Sequence, residues 1–203
     1  RVRVTETIKK RFSRLGYDVQ IQVLNAADYG VPQKRQRVIV IGGLDKNSIK
    51  FPEPSYRARP NGKNLELFKS NLANWVTVKD AIDDLKNRPE DISFNHIFTK
   101  NGKDFQRKLR KTPIGKTVYG GFSDAYFRCP PNEPSRTVKE NHGGVFIHYE
   151  KDRFMTPREL ARLQSFDDKF IFKGTKSQIL VQIGNAVPPK LGYEIANTLR
   201  ENL

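Results

Sequence analysis

The chain has 203 residues, 36% of them hydrophobic and 29% charged, and its 37 lysines and arginines against 22 aspartates and glutamates give a formal net charge of +15. That length suffices for a buried core in one domain, or in a domain with a smaller lobe. A single cysteine excludes an internal disulfide and a multi-cysteine metal site, and no apolar run reaches the ~20 residues of a membrane-spanning helix.

The basic balance favours a polyanionic partner, nucleic acid first, over a surface made basic for solubility alone. No apolar segment follows the basic N-terminus as in a signal peptide, and an intracellular protein is expected. Arg1 is not an initiator methionine and Met155 is the only methionine, so the expectation is a part of a longer product.

Val4, Ile8, Phe12 and Leu15 recur at steps of four and three, which predicts a helix with one apolar stripe, stopped by Gly16. Residues 17–24 then alternate, with Val19, Ile21 and Val23 on one face of a half-buried strand. Residues 37–41 form a nearly continuous apolar run before Gly42 and Gly43, the pattern of a more central strand. Between them, Asp28-Tyr-Gly-Val-Pro-Gln33 has the glycine and proline of a loop. Pro52, Pro54 and Pro60 predict a connector without regular structure over residues 45–62. Thr77-Val-Lys-Asp-Ala-Ile-Asp-Asp-Leu85 reads as a short capped helix with Val78, Ala81, Ile82 and Leu85 inward.

From residue 86 to 149 the chain changes to short apolar runs, many glycines, and Lys or Arg interleaved with Phe, Tyr and His, which predicts a small loop-rich β lobe. A weak core with basic loops suits a module that lies along phosphates while its loop tips reach base edges. A basic insertion without a partner is the plainer alternative. His96, His142 and His148 show no metal-ligand spacing and are expected at the surface or in loops. Thr156-Pro-Arg-Glu159 supplies an N-cap, a proline at the first helical position and a glutamate three residues after the cap, with Leu160, Leu163 and Phe166 on the buried side. Another short element starts at residues 174–177, and a last helix from Pro189 turns Leu191, Ile195 and Leu199 inward.

Three segments, in this order and at this spacing, resemble motifs of the DNA cytosine-5 methyltransferase family. Val23-Leu-Asn-Ala-Ala-Asp-Tyr-Gly-Val-Pro-Gln-Lys-Arg-Gln-Arg37 matches its Gln-x-Arg-x-Arg motif and the approach to it. Thr156-Pro-Arg-Glu-Leu-Ala-Arg-Leu-Gln-Ser-Phe166 is similar to its penultimate motif, and Gln182-Ile-Gly-Asn-Ala-Val-Pro-Pro189 to its last. The resemblance covers the chain except the recognition lobe. It implies an α/β fold: the second half of a Rossmann-like methyltransferase sheet plus a small loop-rich β target-recognition lobe. Residues 1–45 would belong to the sheet, 46–85 to a connector and short helix, 86–152 to the recognition lobe, and 153–203 to C-terminal helices returning to the catalytic and cofactor-binding part. The family's glycine-rich cofactor loop, Pro-Cys nucleophile loop and Glu-Asn-Val motif are not found in these residues. The chain is therefore expected to be inactive alone and to be completed by an N-terminal half, in the same polypeptide or a separate subunit.

The resemblance further implies S-adenosyl-L-methionine as cofactor, double-stranded DNA as partner, and methyl transfer to carbon 5 of a cytosine turned out of the helix. Arg35 and Arg37, two residues apart at the start of a strand, point the same way and would support the flipped cytidine, where guanidinium forks suit oxyanions. An arginine paired with a core-edge carboxylate is the competing reading for each. Gln33 would position the loop. Asn185 and Val187 would touch the cofactor, and Thr137, with Arg136 beside it, would meet a phosphate from the turn formed by residues 134–138 and followed by Gly143 and Gly144. Base-reading residues are sought in residues 111–128, among them Tyr119, Ser123 and Arg128. Cys129 is read as a structural thiol, because its neighbours match the end of the recognition lobe. No metal is implied. A bacterial restriction-modification enzyme, cytoplasmic and at the nucleoid, is the expected setting. Two alternatives stay open: a non-catalytic DNA-binding specificity module, and a fragment of an RNA cytosine-5 methyltransferase.

Overall fold

In the computed structural model, which describes residues 2–45, 49–59, 71–120, 126–140 and 146–202, the first helix, α1 (Val2–Ser13), stops where its sequence directs. Gly16 takes φ +86° and donates its amide to the Ser13 carbonyl at 3.1 Å, while the Tyr17 amide reaches the Phe12 carbonyl at 3.1 Å. This pair of bonds is a Schellman stop, which needs a left-handed residue and so favours glycine. The Phe12 and Tyr17 rings close it edge-on at 6.1 Å. The apolar stripe is less buried than its periodicity predicts: Val4, Phe12 and Leu15 are exposed, because α1 packs chiefly on the single strand β1.

Strands β1 (Asp18–Asn25) and β2 (Gln36–Gly43) run antiparallel, with Asp18 opposite Gly43 and Asn25 opposite Gln36. Among the described residues β1 and β2 pair only with each other, and with one face uncovered Val23, Val38 and Val40 lie exposed. A 3-10 turn over Ala26–Tyr29 joins the two strands. It packs Leu24, Ala26, Tyr29 and Val31 on Leu191, and the Tyr29 hydroxyl donates to the Pro52 carbonyl at 2.9 Å. The connector is not wholly irregular, for a two-residue strand β3 (Tyr56–Arg57) lies parallel to β4 (Ala73–Asn74).

Helix α2 (Val78–Ile82) starts in a reciprocal capping box: the Asp80 amide donates to the Thr77 hydroxyl at 3.1 Å, and the Thr77 amide to the Asp80 carboxylate at 3.0 Å. Beyond it, among the described residues, the lobe is held by isolated bridges, Thr117 to Phe127, Arg128 to Ile147 and Ile147 to Phe154, in place of long strands. It also contains helix α3 (Lys103–Lys111), absent from the sequence reading. Phe105 and Leu109, four residues apart, turn inward onto Val118, Tyr126, Ile147 and Phe154.

Helices α4 (Pro157–Leu163), α5 (Lys176–Asn185) and α6 (Pro189–Glu201) complete the chain. The largest core joins Val78 and Ile82 of α2, Phe127, Cys129 and Phe146 of the lobe, Leu160 and Leu163 of α4, and Ile179 and Ile183 of α5. Cys129 is buried there, and burial pushes its thiol far above the ordinary cysteine range, which unfits it as a nucleophile. His96 and His148, expected at the surface or in loops, lie outside the named helices and strands but are fully buried. His96 Nδ1 meets the Thr156 hydroxyl at 2.9 Å, and His148 Nδ1 accepts the amides of Glu150 and Lys151 at 3.0 and 3.1 Å. His142, Gly143 and Gly144 lie outside the described residues.

Candidate functional site

Three chain segments meet around Gln33 and Arg35, and the chemistry that joins them is the satisfaction of helix ends. The last carbonyls of an α-helix have no partner within the helix. Buried Gln33 donates from Nε2 to the Leu163 carbonyl at the end of α4 and to Gln164 Oε1, each at 3.1 Å. Gln164 in turn donates to the Ile183 carbonyl in the last turn of α5 at 2.6 Å. Arg35 Nη2 donates to the Gly184 and Ala186 carbonyls at 3.1 and 3.3 Å, and Nη1 to the Val138 carbonyl at 2.9 Å. The Gln33 side-chain oxygen accepts the Val138 amide at 3.0 Å. A guanidinium at a helix C-terminus also faces the negative end of the helix dipole. Arg35 is thus held by carbonyls and not by the carboxylate that the competing reading supposed.

Gly184 lets these segments close. A β-carbon there would stand 2.5 Å from the Glu140 α-carbon and from the Lys139 carbonyl carbon, so only glycine admits the backbone of the lobe so near α5. In front of this junction is a cleft of about 400 Å³ lined by Arg35, Arg37, Thr137, Lys139, Glu140 and Asn185, among others. Three cations face one carboxylate in it. Burial first, and the like charge of Arg37 second, pull the Arg35 pKa down to about 10, which leaves it charged at neutral pH. Arg37 is exposed, and among the described residues it donates to the Gln36 carbonyl at 2.7 Å. A cleft of this charge suits phosphate and carbonyl oxygens.

Four of the predicted site residues, Arg35, Arg37, Thr137 and Asn185, therefore share one cleft. The Thr137 hydroxyl donates to the Lys34 carbonyl at 3.1 Å. The Asn185 carboxamide is exposed and makes no hydrogen bond among the described residues, and Val187, two residues on, is 63% exposed. Arg136 is exposed with its guanidinium 3.8 Å over the Phe127 ring. Tyr119 stands apart from the cleft, 65% exposed beneath the Lys108 ammonium at 4.9 Å. Ser123 lies outside the described residues.

Arg128 requires a correction. It is buried, and its guanidinium is spent on the carbonyls of Thr112, His148, Lys151 and Leu109 and on the Asp152 carboxylate at 2.8 Å. Two of those carbonyls close the end of α3, so Arg128 braces the lobe and offers no donor to a base. Gln164 and Gly184 were the residues that sequence reading passed over. Both stand inside the quoted motifs, and the close approach at Gly184 is what an isolated glycine near a helix end signals.

Over residues 1–201 the chain matches the family model described as C-5 cytosine-specific DNA methylase. It is 38% identical over 208 residues to the type II methyltransferase M1.HphI of Haemophilus parahaemolyticus, an alignment covering 95% of this chain and 50% of that protein. It is 36% identical over 203 residues to the type II methyltransferase M.NgoFVII of Neisseria gonorrhoeae, covering 93% and 51%. A solved Escherichia coli structure, described as a prophage-encoded DNA modification methyltransferase, matches with a TM-score of 0.67 and 25% identity over 93% of this chain and 61% of its own. The chain spans about half the length of the curated relatives it matches.

Proposed function

The chain belongs to the C-5 cytosine-specific DNA methylase family, and from that premise we propose that it is the target-recognition and cofactor-pocket part of an enzyme methylating carbon 5 of a cytosine flipped from duplex DNA. The observation that carries this reading is the cleft in which Arg35, bonded to Gly184, Ala186 and Val138, gathers Arg37, Thr137 and Asn185. In it Arg37 binds an oxyanion of the target nucleotide with its exposed fork. Arg35 positions both walls, and the Thr137 hydroxyl turns its proton from the Lys34 carbonyl to a phosphate oxygen.

The residues fit S-adenosyl-methionine in kind: an exposed carboxamide at Asn185 with no hydrogen bond among the described residues, and an exposed apolar side chain at Val187, serve a ligand with polar and apolar edges. When bound, that cofactor supplies the methyl group. Asn185 orients it by hydrogen bonding and Val187 covers an apolar edge. Residues 1–45 form part of the catalytic sheet in this reading and residues 86–152 the recognition lobe; the remaining strands continue the sheet from an edge of the β1–β2 pair, and the missing half covers the open face at Val23, Val38 and Val40.

The test is transfer of labelled methyl to duplex DNA by this chain alone, and by this chain with a polypeptide bearing the Pro-Cys and Glu-Asn-Val loops. Transfer by the mixture only is the expected result. Transfer by the chain alone overturns the division of labour, and DNA binding without transfer in the mixture turns the reading to a recognition module. A preference for folded RNA over duplex DNA overturns the substrate.

A further inference from the structure

Helix α3 carries five basic residues in nine, with Asp104 its only acid, for a net charge of five minus one, or +4. At 100° per residue, Lys103, Arg107 and Lys111 fall on one stripe with Arg110 beside it, opposite the inward Phe105 and Leu109. All four are exposed, the Arg107 side chain to 69% and the Arg110 side chain to 72%. Arg107 meets Asp104 at 2.9 Å and Arg110 only loosely meets Asp152 at 3.7 Å. No acid pairs with Lys103 or Lys111 among the described residues.

A stripe of this kind works against the helix that bears it. Lys103 with Arg107, Arg107 with Arg110, Arg107 with Lys111 and Lys108 with Lys111 are like-charge pairs at helical spacing, each unfavourable by about 0.2–0.5 kcal/mol. The helix is held in place from behind. Leu109 is fully buried, Gln106 donates to the Asp152 carbonyl at 2.5 Å, and Arg128 clasps the Leu109 and Thr112 carbonyls at 2.6 and 2.7 Å. The cations are thus displayed on a fixed rod. From Lys103 to Lys111 the rod rises ~12 Å, the axial rise of about three phosphates of one DNA strand.

We propose that this outward stripe of α3, formed by Lys103, Arg107, Arg110 and Lys111, is a phosphate-backbone contact that holds duplex DNA along the recognition lobe without reading its sequence. The inference rests on the DNA-methyltransferase reading above and assigns that DNA a second contact, apart from the Arg35 cleft. Base reading is left to other parts of the lobe, as is usual where phosphate contacts set register and base contacts set specificity.

The experiment measures binding of the full protein to labelled duplexes, one with and one without its methylatable site, from about 50 to 200 mM salt. The variants are the triple Lys103→Gln, Arg107→Gln, Lys111→Gln and the three single substitutions. Each lost phosphate contact should lower the magnitude of the log K against log salt slope by about 0.9, and the triple by ~2.7. The affinity loss should be the same on both duplexes. Because every single variant alters one exposed side chain, the three singles decide the matter even if the triple does not fold. Unchanged slopes with a wild type that binds DNA overturn the α3 contact and leave the methyltransferase reading standing. A loss confined to the methylatable duplex also overturns it, since the helix would then read bases. A wild type that ignores duplex DNA defeats the reading on which the inference rests.

Discussion

Arg35 and Gly184 are tied across the floor of the cleft: the guanidinium donates to the Gly184 carbonyl at 3.1 Å, at the very residue whose missing β-carbon lets the Glu140 backbone lie against α5. Substitution Gly184→Ala meets backbone atoms, which cannot swing aside as a side chain can. It should cost about 1–3 kcal/mol, the range for overfilling a tight contact. A urea unfolding midpoint lowered at constant slope is the expected result, and an unshifted midpoint would show that the two segments separate freely.

The two arginines of the cleft should fail in different ways. Removing Arg35 as Arg35→Ala leaves the Val138, Gly184 and Ala186 carbonyls without their donor, at a cost of about 2–4 kcal/mol of stability. Arg37 is exposed and, among the described residues, bonds only Gln36. Arg37→Gln should therefore keep stability within ~0.5 kcal/mol, while kcat/KM for methyl transfer by the full enzyme falls about 10- to 100-fold, or ~1.4–2.7 kcal/mol. Parallel unfolding and kinetic measurements separate the two. Equal stability losses would refute the distinction.

Helix punctuation was the part of this fold most open to reading from sequence. Gly16, Thr77 and Thr156 act on amides and carbonyls within a few residues, so the stop of α1 and the capping boxes of α2 and α4 are local facts. The junction of Arg35 with residues about 100 and 150 positions away was accessible only through motif resemblance, since no local pattern specifies such a contact. The fates of His148 and Arg128 were not legible for the same reason: a polar residue in a loop is a surface residue until tertiary packing closes over it. Helix α3 was legible and missed. Its Phe105 and Leu109 spacing among strong helix formers is a helical signal, masked by the reading of its cations as loop residues.

Stability should depend on pH through His148. Burial pulls its pKa down to about 4, from about 6.5 in an unfolded chain. With Nδ1 accepting two amides, the neutral ring keeps its proton on Nε2, 3.9 Å from Glu159. Glu159 favours the charged ring, yet it is already clasped by Arg153 at 2.7 and 2.8 Å, and burial prevails. Between about pH 6.5 and 4 the unfolded chain therefore holds a proton that the folded chain lacks, so stability falls as pH drops through that window, by at most ~3.4 kcal/mol. His96, shifted in the same direction, adds to the slope. His148→Asn keeps an acceptor for the two amides and removes the titration. Its unfolding midpoint should fall less than the wild type's between pH 7 and 5, and matching falls would place the acid sensitivity elsewhere.

Asn185 offers the sharpest test of the cofactor side of the cleft, because its carboxamide does no work within the described chain. Asn185→Ala should leave the unfolding midpoint unchanged to within ~0.5 kcal/mol. If that amide orients S-adenosyl-methionine, the full protein should bind the cofactor more weakly by one hydrogen bond, about 0.5–1.5 kcal/mol or ~2- to 13-fold. Calorimetric titration of cofactor into wild type and variant reads this directly, and DNA affinity in the absence of cofactor should not move. An unchanged cofactor affinity would detach Asn185 from that ligand. Weakened DNA binding in its place would assign the whole wall, from Arg37 through Thr137 to Asn185, to the nucleic acid, since all three already face one cleft.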